Sequence, residues 1–391
     1  MKTFFFIAFS FLVVFTVSGQ AQEQSIGHKD TTQVETATIA PDTLSKFARF
    51  NKKAEALFKV MPFPMVSYST ETGTVVGLAK YNMVQLVEGD TVSAASSFSG
   101  LASASTEGHY KVVLGGNLYL NQNKLILNGT LRYIVFPEYL LGIGNEVQRE
   151  DLERVVTERF VFTNYILHSV DKDNRLYVGL FQEYKNYYKI KKDSISWIER
   201  NQYPGYLGGI TSGFGLGVAY DTRDHKYNAM SGMFASFNTK AFASAFGSDF
   251  DYNTIEFEFR KFFNPWYQHV IAFQLYSKGN YGDVPFYSLG QIGGTNRMRG
   301  YYLGAIRDKV IADAQVEYRM KVWSIFGVTA FASAGRVADT YSKMNLNDLW
   351  YGGGFGLRIM VDSAHKANLR IDFGYGMEGS KTVVIGFAEA F

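Results

Sequence analysis

From about residue 63 onward the chain alternates apolar and polar residues, the two-residue period of strands whose faces meet different surroundings. In "ANLRIDFGYG" (367–376), Leu369, Ile371, Phe373 and Tyr375 share one face, and Arg370, Asp372, Gly374 and Gly376 share the other. "IADAQVEYRM" (311–320) sets Asp313, Gln315, Glu317 and Arg319 against Ala312, Ala314, Val316, Tyr318 and Met320. "NTIEFEFRKF" (253–262) sets Ile255, Phe257 and Phe259 against Glu256, Glu258 and Arg260. Segments of this kind predict strands over 63–70, 74–87, 93–105, 109–120, 124–136, 152–168, 173–188, 207–221, 231–243, 250–263, 266–279, 309–321, 325–337, 350–361, 366–376 and 381–391. That makes about sixteen, an even number, as a single-chain bacterial barrel requires.

Alternation alone does not separate a water-soluble sandwich from a membrane barrel, because both have two unlike faces. The polar face here carries full charges in strand after strand, and the apolar face carries aromatics. In a barrel within an outer membrane, the aromatics face lipid and the charges face the lumen; strand lengths near ten and aromatic-rich strand ends favour that arrangement. Composition points the same way: aromatics make up 16% and charged residues 19%, with a mean hydropathy of -0.09. A helical membrane protein is far more apolar, and a typical soluble enzyme more charged. The expected fold class is all-β, a transmembrane antiparallel barrel.

The first residues, "MKTFFFIAFSFLVVFTVSGQAQ", read as a signal peptide over 1–21: Lys2, an apolar run at 4–17, and small residues Ser18, Gly19 and Ala21. Residues 22–62 read as a periplasmic linker. Within it, 44–59 place Leu44, Phe47, Phe50 or Ala54, and Leu57 at helical spacing among Lys46, Arg49, Lys52, Lys53 and Lys59, which predicts a short basic amphipathic helix. The barrel then occupies 63–391. Its last strand puts Val383, Ile385, Phe387 and Phe391 on one face, and Phe387 and Phe391 read as the sorting feature of such barrels. The expected location is the cell outer membrane.

Chemistry is scarce. The chain has no Cys, which excludes disulfides and thiolate sites, and a net charge of +3, too small to argue for nucleic acid. The six His are scattered, with no HExxH, and neither a G-x-S-x-G elbow nor a Walker loop occurs. The Gly-rich stretches "GFGLG" (213–217) and "GGGFG" (352–356) fall in strands, where small residues relieve crowding and allow curvature. No enzyme activity, metal or cofactor is expected.

The longest basic interruption is "IGGTNRMRGYYLGAIRDK" (292–309), with four glycines and three arginines between strands. Its Met298-Arg299-Gly300-Tyr301 resembles the [V/I]-R-G-[Y/F] signature of the BamA/TamA superfamily, or bacterial surface antigen family. Five further segments resemble that family in its order: "SYSTETG" (67–73), "AYDTRD" (219–224) followed by Gly232, "VEYR" (316–319), "GFGLRIMV" (354–361) and "LRIDFGYG" (369–376). The resemblance implies a sixteen-stranded barrel whose long extracellular loop folds back inside. It also implies work in outer-membrane protein assembly or translocation. Two departures stand out. The family's F-x-D-x-G strand, whose Asp partners the loop arginine, reads Phe331-Ala332-Ser333-Ala334-Gly335, and residues 22–62 cannot hold one POTRA repeat.

With Ser333 in the aspartate's place, the inward carboxylates left for Arg299 are Glu317, favoured, then Asp372 and Asp313. Gly300 suits a positive φ or a close approach to the wall. Tyr301 is expected to pack on that wall, with Arg297 and Arg307 as secondary contacts. The resemblance leaves an accessory component as the first functional reading, with the BamA complex or client outer-membrane proteins as partners and outer-membrane lipid and lipopolysaccharide as surroundings. A solute-passing channel, and a structural barrel that docks surface partners through loops 137–152 and 188–207, are the alternatives.

Overall fold

The computed structural model describes residues 62–391 apart from 70–72, 88–92, 148–152, 193–196, 226–227 and 363–366. The expected signal peptide (1–21) and basic helix (44–59) lie outside the described residues, as does the linker except for Pro62.

The alternating segments form β1 (Phe63–Ser69), β2 (Gly73–Val84), β3 (Ser96–Ser105), β4 (Tyr110–Leu120), β5 (Leu125–Leu140) and β6 (Glu153–Ser169). Next come β7 (Leu176–Lys192), β8 (Gly209–Asp221), β9 (Gly232–Phe242), β10 (Tyr252–Phe263) and β11 (His269–Gly282). Two short strands, β12 (Gly290–Gln291) and β13 (Arg307–Asp308), precede β14 (Val310–Trp323), β15 (Phe326–Ala338), β16 (Trp350–Asp362), β17 (Ala367–Gly376) and β18 (Lys381–Phe387). All but β12 and β13 join one 16-stranded sheet in chain order, with β11 bonded directly to β14 across the intervening loop. Every pairing is antiparallel, so each strand needs only a turn to reach the next. Among the described residues, no helix is long and apolar enough to cross a membrane.

The two faces of the sheet invert the habit of a water-soluble protein. Val178, Val218, Phe237 and Phe257 lie at one level across β7 to β10, and all four are exposed. On the opposite face Asp313, Glu317, Arg319, Arg358, Arg370 and Asp372 are buried. A continuous apolar outer face is a hazard in water and a requirement in lipid.

Three strand ends depart from the alternation pattern. β5 continues through Pro137 to Leu140 rather than stopping near 136, because β4 pairs with it only as far as Val135. Beyond that point β5 bonds to β6 alone, so proline's missing N–H costs nothing. β7 likewise runs to Lys192, past its last partner on β8. The expected loops 137–152 and 188–207 are therefore shorter than the sequence implied. The second holds a single-turn helix, α1 (Trp197–Arg200), whose Ile198 packs inward with Leu140, Val155, Tyr187, Phe286 and Tyr287.

The final strand also stops short of its expected end. β18 ends at Phe387, where Ala388 takes a positive φ of 63° and donates its N–H to the Asn368 carbonyl at 2.8 Å. Phe391 therefore does not share the exposed face of Val383 and Ile385; its ring is buried, 6.3 Å from that of Phe262.

Candidate functional site: an arginine-locked loop

The loop between β11 and β14 turns into the charged face of the sheet. At its base β12 pairs with β13, and the next rungs continue as Ile292 N–H to the Ile306 carbonyl (3.0 Å) and Gly304 N–H to the Ile292 carbonyl (3.0 Å). The loop is thus a hairpin with a broad tip. Ile292, Met298, Tyr301 and Ile306 are buried in it, against Tyr276, Ile311, Val337 and Trp350 of the wall.

The tip needs a backbone in close contact with the wall. Gly300 has φ 121°, and a Cβ there would stand 2.6 Å from the Tyr375 carbonyl carbon. The wall reciprocates: a Cβ on Gly374 would lie 2.6 Å from the Gly300 nitrogen, and one on Gly376 would lie 2.6 Å from the Tyr301 ring. The glycines of β17 form a notch for the loop. Three bonds then clamp it, as Gly300 N–H donates to Thr382 Oγ1 (3.0 Å), Ser380 Oγ donates to the Gly300 carbonyl (2.7 Å), and Met377 N–H donates to the Tyr301 hydroxyl (2.7 Å). Tyr301 donates in turn to the Tyr351 carbonyl, and its ring stands edge-on to Trp350.

Arg299, 0% exposed, lies between two strands that are not neighbours. Its Nη2 donates to Glu317 Oε2 on β14 at 2.5 Å and its Nη1 to Asp372 Oδ2 on β17 at 2.7 Å. The guanidinium carbon sits 3.7 Å from the ring centroid of Phe331, on β15 between them. The favoured and second candidates thus hold one fork together. The third, Asp313, pairs with Arg297, whose guanidinium lies 3.4 Å from the Tyr276 ring centroid. Ser333 does not touch the guanidinium; its hydroxyl donates to the Gly352 carbonyl at 3.2 Å.

Both acids are shared. Glu317 Oε1 accepts from Arg319 Nε at 2.6 Å. Asp372 accepts from Arg358 at 2.6 Å and from Arg370 at 3.2 Å. Arg358 continues to Glu389 at 2.7 Å, and Glu389 accepts from Asn368 at 2.7 Å. Arg319, Arg358, Arg370 and Glu389 were not singled out by sequence reasoning. The signal was present for three of them, since Arg319, Arg358 and Arg370 hold the charged positions of alternating strands beside Glu317 and Asp372. Glu389 gave the opposite signal, because the expected strand 381–391 puts it on the face of Phe387 and Phe391, whereas the backbone turns at Ala388. An isolated arginine buried this deeply is prohibitively costly, whereas shared carboxylates offset that cost and make removal of one partner expensive.

The base of the loop is held elsewhere. Arg307, also 0% exposed, reaches Glu138 on β5 at 3.4 Å, and it donates to the Gly304 carbonyl at 2.6 Å and the Phe286 carbonyl at 3.3 Å. Glu138 also pairs with Arg159 at 2.5 Å. The loop therefore bridges β5 on one side and β14 and β17 on the other. Among the described residues, no group of three or more His, Asp or Glu side chains is placed to hold a metal ion.

An inward hairpin carrying an arginine lock, on a sheet that is apolar outside and charged inside, defines an outer-membrane β-barrel architecture. Residues 93–387 match the Omp85 superfamily domain, and the chain belongs to that superfamily of outer-membrane proteins. Among solved structures, BamA from Haemophilus ducreyi lacking POTRA domains 1–3 is similar over 87% of this chain and 77% of that one, at 14% identity and a TM-score of 0.51. CdiB from Acinetobacter baumannii is similar over 82% of this chain and 56% of that one, at 13% identity and a TM-score of 0.49. Among curated proteins, none matches.

Proposed function

We propose that the chain closes into a sixteen-stranded barrel in the outer membrane and serves protein assembly or translocation there as an accessory component, with BamA-type machinery or client barrels as partners. The work is mechanical rather than catalytic. The observation that carries this reading is the docked loop: Arg299 ties the hairpin to β14 and β17 while Arg307 ties it to β5, so the interior is spanned by protein. A channel built for free passage of solutes has little use for such a brace. The shortest strands of the sheet, β1 and β18, have 7 residues each, and they would form the weakest seam of the closed barrel, the natural place for lateral opening.

Depletion of the protein followed by a survey of other outer-membrane barrels tests the role. A fall in several of them is expected, and unchanged levels sink the assembly reading. Planar-bilayer conductance tests the alternative. Small flickering currents are expected, whereas large steady ones favour the porin-like channel.

A further inference from the structure

The inner wall formed by β4 to β7 carries charge that the loop lock does not use. Lys111 on β4 lies opposite Ile134 on β5, which lies opposite Arg159 on β6. Arg132 on β5 lies opposite Val161 on β6, which lies opposite Lys185 on β7. Lys111, Arg132, Arg159 and Lys185 are therefore diagonal neighbours in a zigzag over four strands, with backbones about 7 Å apart at each step. Their strand neighbours Val112, Leu114 and Leu131 are exposed on the opposite face, which puts all four cations on the inner one.

The acids of this wall are spoken for. Glu138 holds Arg159 and Arg307, and Glu183 holds Lys185 (2.5 Å) and Lys240 (2.7 Å). The charges that bear on Lys111 are those of Arg132 and Arg159, both cationic. Arg132 feels Glu183 first, an acid already engaged by Lys185 and Lys240, and Arg159 second. Among the described residues, neither the Lys111 nor the Arg132 side chain makes an ion pair or a hydrogen bond. Two half-buried like charges side by side without a direct ion pair repel each other and lose hydration together, a cost that a bound anion reduces. A Lys point charge beside an Arg fork is the donor set that suits a phosphate group.

We propose that Lys111 and Arg132, backed by Arg159 and Lys185, form a binding site for a phosphate group on the inner wall. The group comes from a small phosphorylated solute rather than from the bilayer, because the site faces away from the lipid-facing side. This site goes beyond the assembly role and does not depend on it.

The test uses the full chain, refolded in an uncharged maltoside detergent, with inorganic phosphate as the probe. Expected is a saturable rise in unfolding temperature with phosphate that chloride at equal ionic strength does not reproduce. In the Lys111→Gln/Arg132→Gln protein the apparent affinity should fall at least about tenfold, and that protein should be no less stable than the parent without phosphate. An equal response of parent and variant, or no saturable response, overturns the site. A second arm compares phosphatidylglycerol with phosphatidylcholine vesicles. Stabilisation that needs the anionic lipid and ignores free phosphate overturns the solute source. Should the double variant fail to fold, Lys111→Arg/Arg132→Lys keeps both charges and must keep the phosphate response; its loss, or absence of saturable phosphate binding to the parent by equilibrium dialysis, counts against the proposal.

Discussion

Arg299 at the tip of the loop and Arg307 at its base are both fully buried, yet the wall holds them in unlike ways. Arg299 spends both ends of its fork on carboxylates of two strands, at 2.5 and 2.7 Å. Arg307 stands 3.4 Å from one carboxylate and makes its closest bond, 2.6 Å, to the carbonyl of Gly304 within its own loop. The tip is an electrostatic anchor into the wall, whereas the base is an internal brace that happens to reach the wall. For the loop to leave, the bonds of the tip have to break first. A hairpin can swing about its base when the tip lets go, but a tip that stays docked holds the base in place.

The anchor is exposed most directly by mutation at the tip. Arg299→Ala removes two charge-assisted hydrogen bonds while Arg319, Arg358 and Arg370 keep both acids paired; at about 1.5–3 kcal/mol for each bond it should cost about 3–5 kcal/mol. Heat-modifiable gel migration should shift to lower temperature, and the loop should become open to protease. An unaltered protein in both assays means the tip is not the anchor. Next in size is Gly374→Ala, whose methyl group would meet the Gly300 nitrogen at 2.6 Å; overpacking of this kind costs about 2 kcal/mol. Combined with Arg299→Ala, its effect should shrink, since an undocked loop no longer feels the methyl group. Full additivity would show that the notch and the lock are separate devices.

Arg307→Ala sharpens the contrast from the other end. Glu138 keeps Arg159, so the loss should be about 1.5 kcal/mol, with loop protease sensitivity raised far less than by Arg299→Ala. Equal sensitivity would erase the distinction between anchor and brace. The smallest expected effect belongs to Ser333→Ala, about 1 kcal/mol for one hydrogen bond to the Gly352 carbonyl. The loop should stay docked by the protease assay, and release of the loop would restore position 333 to the lock.

The strands were legible because charge alternates with aromatics in almost every one, and lipid outside with charge inside demands that period. Their ends were less so. Pro137 reads as a stop, yet β5 passes through it where no neighbour needs its N–H, a fact that depends on the length of β4. Phe391 continues the two-residue period on paper, but Ala388 turns the backbone, and the ring goes to Phe262 instead. In the site, Glu317 and Asp372 were visible as inward acids near the loop, and only their simultaneous use was not. The glycines of 352–356 do relieve crowding, Gly354 against the Phe373 carbonyl and Gly356 against Asp372, while Gly352 faces the loop; the glycines of β17, Gly374 and Gly376, admit the backbone of Gly300 and the ring of Tyr301. Contacts between strands far apart in the chain leave no trace in local spacing, which is why Glu138 and Glu389 went unremarked.

The docked loop also sets an order of events. Arg299 meets Glu317 after 18 residues of chain but must wait for Asp372, 73 residues on, and Gly300 must wait for Thr382, 82 residues on, before the tip is clamped. Arg307 reaches back 169 residues to Glu138. Such distant closures are slow, since the intervening chain has to be ordered first. The loop cannot settle until β5 and the last strands of the sheet have both arrived, so its docking reports that the sheet from β5 to β18 is assembled.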